Sequence, residues 1–293
     1  MNYILENDNI RLTVSDHGAE IKSLLRKRDN RELMWQADPA YWGRTSPVLF
    51  PLVGNYYQKT SRFCGKTYEM GQHGFARDMD FTLERQTEQE LVFVLEDTEA
   101  TLEKYPFSFR LFLSYHLEKS SVRVGWKVEN TNDSTMYFSI GGHPAFCCDL
   151  DTYKLRFMQK GQLLGELQSN QIAEDGSGCL GDVVKNFGLA NGMLGMSDEL
   201  FDKDALIIEN HQADQVTLVD DQGEDVLTVK FDAPLFGIWS PAGKHAPFVC
   251  IEPWYGRCDR VGFCQELSER EYGNALEASA VFQVYYDIQV KQS

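Results

Sequence analysis

The sequence predicts an all-β, antiparallel fold, and three observations carry the prediction. Apolar residues recur at every second position in many short runs, the period of a strand with one buried face. Clusters of Gly, Asn, Asp and Ser separate those runs at short spacing, as hairpin turns require. No stretch shows a helical period of convincing length. Many short strands with regular turns mean an antiparallel sandwich or barrel. At 293 residues it is a large one. With no linker, short repeat or low-complexity tract, residues 1–293 read as one domain.

The chain opens on a hairpin. Ile10-Arg11-Leu12-Thr13-Val14 alternates, Asp16-His17-Gly18 turns, and Glu20-Ile21-Lys22-Ser23-Leu24 resumes the alternation. Residues 38–54 differ. Three prolines and two glycines forbid a regular helix, yet the aromatic and apolar content says the segment is buried. A long, irregular, apolar segment with one arginine, Arg44, fits the wall of a pocket; an ordinary surface cation is the alternative. In Gln72-His73-Gly74-Phe75-Ala76-Arg77-Asp78, an extended backbone puts His73, Phe75 and Arg77 on one face.

The clearest strand signal lies near the middle of the chain. Phe109, Leu111, Leu113, Tyr115 and Leu117 share one face. After a turn, Val122, Val124, Trp126 and Val128 share another, with Arg123, Lys127 and Glu129 opposite. Met136, Phe138 and Ile140 lead to Gly141-Gly142-His143-Pro144. Residues 160–200, rich in Gly, Ser, Asp and Asn, read as long loops or short helical turns. Residues 205–208, 215–219, 226–229 and 236–241 read as short strands, and 248–255 as a strong apolar run. Residues 281–290 alternate as a final strand.

Charge and composition exclude several functions. Lys and Arg number 28 against 44 Asp and Glu, giving a formal charge of −16 and a pI of about 4.8. That surface opposes nucleic acid and anionic membranes. No apolar run approaches the roughly 20 residues of a membrane span, and the first twelve residues hold no signal-peptide core. The seven cysteines are scattered, and Cys250, Cys258 and Cys264 lack the close paired spacing of a zinc site. Reduced thiols in a cytoplasmic protein fit best.

Two positions carry candidate chemistry. The two glycines permit a sharp turn or a close approach before His143, and Pro144 stiffens the backbone beside it. An imidazole fixed at a strand end suits proton transfer; a histidine bonded to a backbone carbonyl is the alternative. Glu252 stands alone among Phe248, Val249, Cys250, Ile251, Pro253 and Trp254. Desolvation raises a carboxyl's pKa towards that of a general base near neutral pH. A strand glutamate facing solvent is the alternative, which Pro253 weakens. With His73, Arg44 and Arg77, and with Trp42, Phe75, Phe146, Trp254 and Trp239 as ring-faced platforms, these residues would make a sugar site.

Rival chemistries lack their motifs. There is no His-x-His pair for a cupin metal site. Gly176-Ser177-Gly178 is not a nucleophile elbow. No dinucleotide fingerprint or P-loop appears. A glycosidase needs two carboxylates, and beside Glu252 there is only the weaker Asp204.

Four stretches carry a family resemblance: Arg44-Thr45-Ser46-Pro47-Val48-Leu49-Phe50-Pro51, Gln72-His73-Gly74-Phe75-Ala76-Arg77-Asp78, Gly142-His143-Pro144-Ala145-Phe146 and Cys250-Ile251-Glu252-Pro253-Trp254. In this order they resemble the aldose 1-epimerases (galactose mutarotase-like proteins), and their LacX-like branch most. The resemblance implies an antiparallel β-supersandwich, an open sugar cleft and a mechanism without metal or other cofactor. It implies that Glu252 takes the proton of the anomeric hydroxyl while His143 protonates the ring oxygen. His73, Arg44, Arg77, Asp204 and Trp239 would bind the sugar. Asn55 stands where close relatives often carry a basic residue. The His-Gly-Phe-Ala-Arg form also resembles hexose-6-phosphate epimerases, in which arginines hold the phosphate. The expected partner is thus a hexose, free or phosphorylated, handled by a monomer or homodimer. A non-catalytic sugar-binding protein on the same scaffold is the reading from another class.

Overall fold

The computed structural model describes residues 1–292. Two large antiparallel sheets enclose the main core. The ten-stranded sheet runs, in spatial order, through Gln162–Leu163, Lys154–Gln159, Gln215–Val219, Asp225–Phe231, Val281–Val290, Ser121–Asn130, Phe109–Glu118, Glu90–Glu96 and Thr82–Gln86, with Met193–Gly195 beside the second. The eight-stranded sheet runs through Leu180–Gly188, Glu166–Ile172, Leu206–Ile208, Leu235–Trp239, Phe248–Tyr255, Ile140–Gly142 and Val48–Leu49, with Ala145–Cys147 also on Phe248–Tyr255. Asn2–Glu6, Ile10–Ser15, Ile21–Arg26 and Arg31–Glu32 form a four-stranded sheet. Among the described residues the one α-helix is Glu99–Leu102, capped by Thr98. No helix there is long and apolar enough to cross a membrane.

The alternation read in the sequence becomes burial. Val122, Val124, Trp126 and Val128 point into the core from Ser121–Asn130, and Leu113 lies opposite Trp126 across the ladder. The largest apolar cluster draws on residues from Leu5 to Val290, so both sheets and the opening hairpin close over one core. Phe112 faces the other way, where Lys127 Nζ sits 3.7 Å from its ring.

Residues 160–200 differ from the loops expected of them. Glu166–Ile172 and Leu180–Gly188 form a hairpin at the edge of the eight-stranded sheet. Two features hide it in the sequence. Residues 182–186 are exposed on both faces, so no apolar alternation develops. The fully buried Ser169 holds an inward position through hydrogen bonds, accepting from Ile207 N at 3.0 Å and donating to Asn170 O.

Candidate active site

The strand Phe248–Tyr255 builds the site. Its pleat sends Val249 and Ile251 into the main core. Phe248, Cys250, Glu252 and Trp254 therefore project from the opposite face, where Phe248 and Cys250 join a small cluster with Trp35 and Ala145. Two neighbouring strands leave room on that face. Gly237 pairs with Glu252, and Gly141 pairs with Trp254. A Cβ on Gly237 would sit 2.4 Å from the Trp254 ring, and one on Gly141 2.5 Å from it. The indole thus lies across two glycines, a close approach that only those residues permit.

His143 arrives from the paired arm. Its backbone N donates to Pro47 O at 3.1 Å, and Ala145 N donates to Thr45 O at 3.0 Å. These bonds dock the irregular segment 38–54 alongside. Glu20 anchors that segment from the opening hairpin: one buried carboxylate oxygen accepts from Thr45 N and Ser46 N at 2.7 and 2.8 Å. The segment carries Trp42, whose ring stacks on the His143 imidazole at 4.7 Å and 29°. Trp239 and His73 meet the same imidazole edge-on at 5.3 and 5.7 Å. Three rings thereby fix its orientation.

His143 and Glu252 are close together and buried. His143 Nε2 lies 3.4 Å from Glu252 Oε1, with the residues 6% and 1% exposed. Neither Glu252 oxygen has a hydrogen-bond partner, and His143 Nδ1 has none either. Buried polar atoms are almost always paired, so these call for partners that the protein itself does not supply. Burial drives Glu252 well above the ordinary 4.5, and the Asp204 charge adds to the rise. Trp254 opposes it from alongside, although its indole Nε1 completes no hydrogen bond. Burial, then the cation of Arg77, brings His143 down to about 3. His143 is therefore uncharged at neutral pH, and burial favours the protonated form of Glu252.

His73 is oriented by the backbone. Gly54 N donates to His73 Nδ1 at 3.0 Å, and His73 N donates to Gly54 O at 2.8 Å. Burial holds its pKa well below 6.5. A neutral ring that accepts at Nδ1 carries its proton at Nε2, so His73 is a fixed donor rather than a base.

These groups line one cavity of about 530 Å³, within the range of small-molecule sites. Size does not single it out, because clefts of 540 and 600 Å³ lie on the outer surface of the ten-stranded sheet. What singles it out is the lining: Glu252, His143, His73, Arg77, Asp204 and Trp239, with Trp42, Gln72, Asp202 and Trp254. Six of the seven site residues read from sequence thus surround one space. The seventh, Arg44, does not line it; its guanidinium donates to Asp78 at 2.7 Å and reaches the histidines only through its field.

Two other expectations change. Phe75 does not share a face with His73 and Arg77. His73 has a positive φ of 65° and residues 76–78 form a 3₁₀ turn, so the backbone is not extended there. Phe75 instead packs against Phe50 and Phe109 in the core. Phe146 is also a core residue, fully buried in the main cluster. Trp42, Trp239 and Trp254 are the ring faces that the cavity keeps.

Sequence reasoning gave no role to Glu20, Asp202 or the charged cluster beneath the cavity. There Arg270 donates to Asp259 at 2.7 Å and to Ser139 Oγ at 3.1 Å, and Asp259 also accepts from Tyr57 N. That network ties the arm bearing His143 to the segment bearing Cys258, which lines the cavity. No local motif signals it, since its bonded partners lie up to 202 residues apart.

A family model described as aldose 1-epimerase matches residues 1–267. The chromosomal protein LacX of Lactococcus lactis subsp. lactis is 31% identical over 292 residues, covering 93% of this chain and 91% of its own length. A galactose mutarotase related enzyme from Lactobacillus acidophilus is 34% identical with a TM-score of 0.92, covering 100% of this chain and 98% of its own. A galactose mutarotase-like protein from Lactobacillus casei is 30% identical with a TM-score of 0.92, covering 99% and 100%.

Proposed function

The chain belongs to the aldose 1-epimerase family, and from that premise we propose that it interconverts the α and β anomers of a hexose by acid–base opening and reclosure of the ring. The observation that carries this reading is the buried Glu252–His143 pair, 3.4 Å apart and unpartnered at the wall of the cavity. Ring opening needs one base for the anomeric hydroxyl and one acid for the ring oxygen. A pair holding a single mobile proton supplies both. Moving that proton from Glu252 to His143 gives the carboxylate and imidazolium. Glu252 then takes the O1 proton, His143 protonates O5, and the C1–O5 bond breaks. After rotation about C1–C2 the roles reverse and the ring closes on the other face.

The remaining residues support binding in this reading. His73 donates from Nε2 to a sugar oxygen where negative charge develops. Asp204 accepts from hydroxyls. Trp42, Trp239 and Trp254 pack against C–H faces of the ring. Each of these assignments agrees with a position on the cavity wall.

One observation favours a second reading, an anionic substrate such as a hexose 6-phosphate. Arg77 lines the cavity, and its buried Nε has no partner. Its nearest acid, Asp78 at 3.7 Å, already pairs with Arg44 at 2.7 Å. Burial lowers Arg77 only to about 10, so it stays cationic at neutral pH. A phosphate would supply the missing acceptor. A substrate preference for glucose 6-phosphate over glucose, lost in Arg77→Gln, is the expected outcome of that reading, and equal rates on the two sugars contradict it.

Polarimetry across pH tests the acid–base assignment. Turnover of a fresh α-hexose is expected to show no acid limb at the ordinary histidine value of 6.5. The pair gains a second proton only near the His143 value of about 3. At high pH, turnover falls once the pair loses its only proton, above the ordinary glutamate range. An acid limb centred on 6.5, the ordinary histidine value, contradicts the assignment.

A further inference from the structure

Cys250 has no part in ring opening, yet its strand directs it at the pair that does the work. Phe248–Tyr255 puts Cys250 and Glu252 on one face, two residues apart. Ala145, directly across from Cys250, adds only a methyl group. His143 lies two residues before Ala145 and enters from that side. One donor atom from each of His143, Cys250 and Glu252 falls within 4.8 Å of the other two. Neither Glu252 oxygen has a partner, although the residue is almost wholly buried. The three therefore offer nitrogen, sulfur and oxygen towards a common point.

We propose that His143, Cys250 and Glu252 form a binding site for a borderline divalent cation such as Zn²⁺, and that the cation and the sugar reaction exclude one another. The donor set decides the metal class. Thiolate, imidazole and one carboxylate suit Zn²⁺, whereas Mg²⁺ and Ca²⁺ prefer oxygen alone. Three protein donors leave a fourth position open to the cavity for water or a sugar hydroxyl. Ligands around a tetrahedral zinc lie about 3.5 Å apart, so the side chains close in by about 1 Å. Binding sends the Cys250 thiol proton and the Glu252 carboxyl proton to solvent and leaves the imidazole neutral.

The surroundings favour reversible inhibition over a resident metal. Tightly held zinc histidines donate their second ring nitrogen to a carboxylate or carbonyl. His143 Nδ1 has no such partner. The cation occupies the lone pairs that proton transfer uses, so bound metal stops turnover. That inhibitory consequence rests on the epimerase reading; the binding itself does not.

Cobalt(II) titration of the full chain tests the site without reference to activity. The expected result is a thiolate-to-cobalt charge-transfer band saturating at one cobalt per chain and displaced by zinc. Zinc is also expected to inhibit anomer exchange in competition with sugar, with recovery on chelation. Cys250→Ser, and Cys250→Ala as a second variant, should lose the band and need at least about tenfold more zinc for half-inhibition, a typical cost of a lost metal contact. Turnover without metal should persist in both. The exposed thiols Cys64 and Cys264 are the competing source, and Cys64→Ser/Cys264→Ser should keep both band and inhibition. No band in the wild type, or a band that survives Cys250→Ser and vanishes in the surface double variant, overturns the proposal. If the chain proves not to be an epimerase, the cobalt spectrum still decides the metal site.

Discussion

Glu252→Gln is expected to lower turnover by about 10²–10⁴-fold, the usual worth of one positioned general acid–base group. The amide keeps the shape and most of the packing but can neither accept nor return the proton. Sugar affinity should change little, because the cavity's other walls are untouched. The fold should not suffer. Wild-type Glu252 keeps its proton above pH 4.5 while an unfolded chain loses it, because burial raises the folded-state value. Wild-type stability therefore falls as pH rises from 4.5 towards the folded value. The glutamine variant escapes that loss, so its melting temperature relative to wild type should climb over the same window. Calorimetry at pH 4.5 and pH 7 checks this, and a difference between variant and wild type that stays level or falls between those two values speaks against a buried, protonated Glu252.

His143→Asn is expected to cost a similar 10²–10⁴-fold. The two losses should not add. In the proposed mechanism each residue is half of one proton-carrying pair, and groups that act as a unit show near-complete non-additivity. The Glu252→Gln/His143→Asn double variant should therefore be no more than a few-fold slower than the worse single variant. Losses that multiply would mean two independent roles instead of a shared proton. The stacking of Trp42 on His143 supplies a structural check. Tryptophan emission should shift in His143→Asn, where the Trp42 ring loses its stacking partner.

The β architecture is legible in the sequence because most strands bury one face and expose the other. Ser121–Asn130 shows this plainly, with Val122, Val124, Trp126 and Val128 inward and Arg123, Lys127 and Glu129 outward. The edge hairpin within 160–200 is illegible for the same reason in reverse, since its outer strand is exposed on both faces. Glu252 is legible as a lone carboxylate in an apolar run. Cys250 is not, although it stands two residues away, because a buried cysteine looks like any small apolar residue until His143 is placed beside it. Arg44 is misread because burial of its segment does not fix where its guanidinium goes, and Asp78, far along the chain, claims it. Phe75 and Phe146, aromatic residues inside the stretches that carry the family resemblance, serve the core behind the cavity.

Whether the Glu252–His143 pair catalyses anomer exchange is decided by magnetisation transfer between the α- and β-anomeric protons at equilibrium. It is measured by NMR with catalytic amounts of protein, on glucose, galactose and glucose 6-phosphate in turn. Wild-type protein is expected to accelerate exchange of at least one of these sugars, and Glu252→Gln to bind the same sugar without accelerating it. Sugar signals that broaden on binding, while wild-type protein leaves every exchange rate at its background value, would contradict acid–base catalysis and leave a sugar-binding protein on an epimerase scaffold.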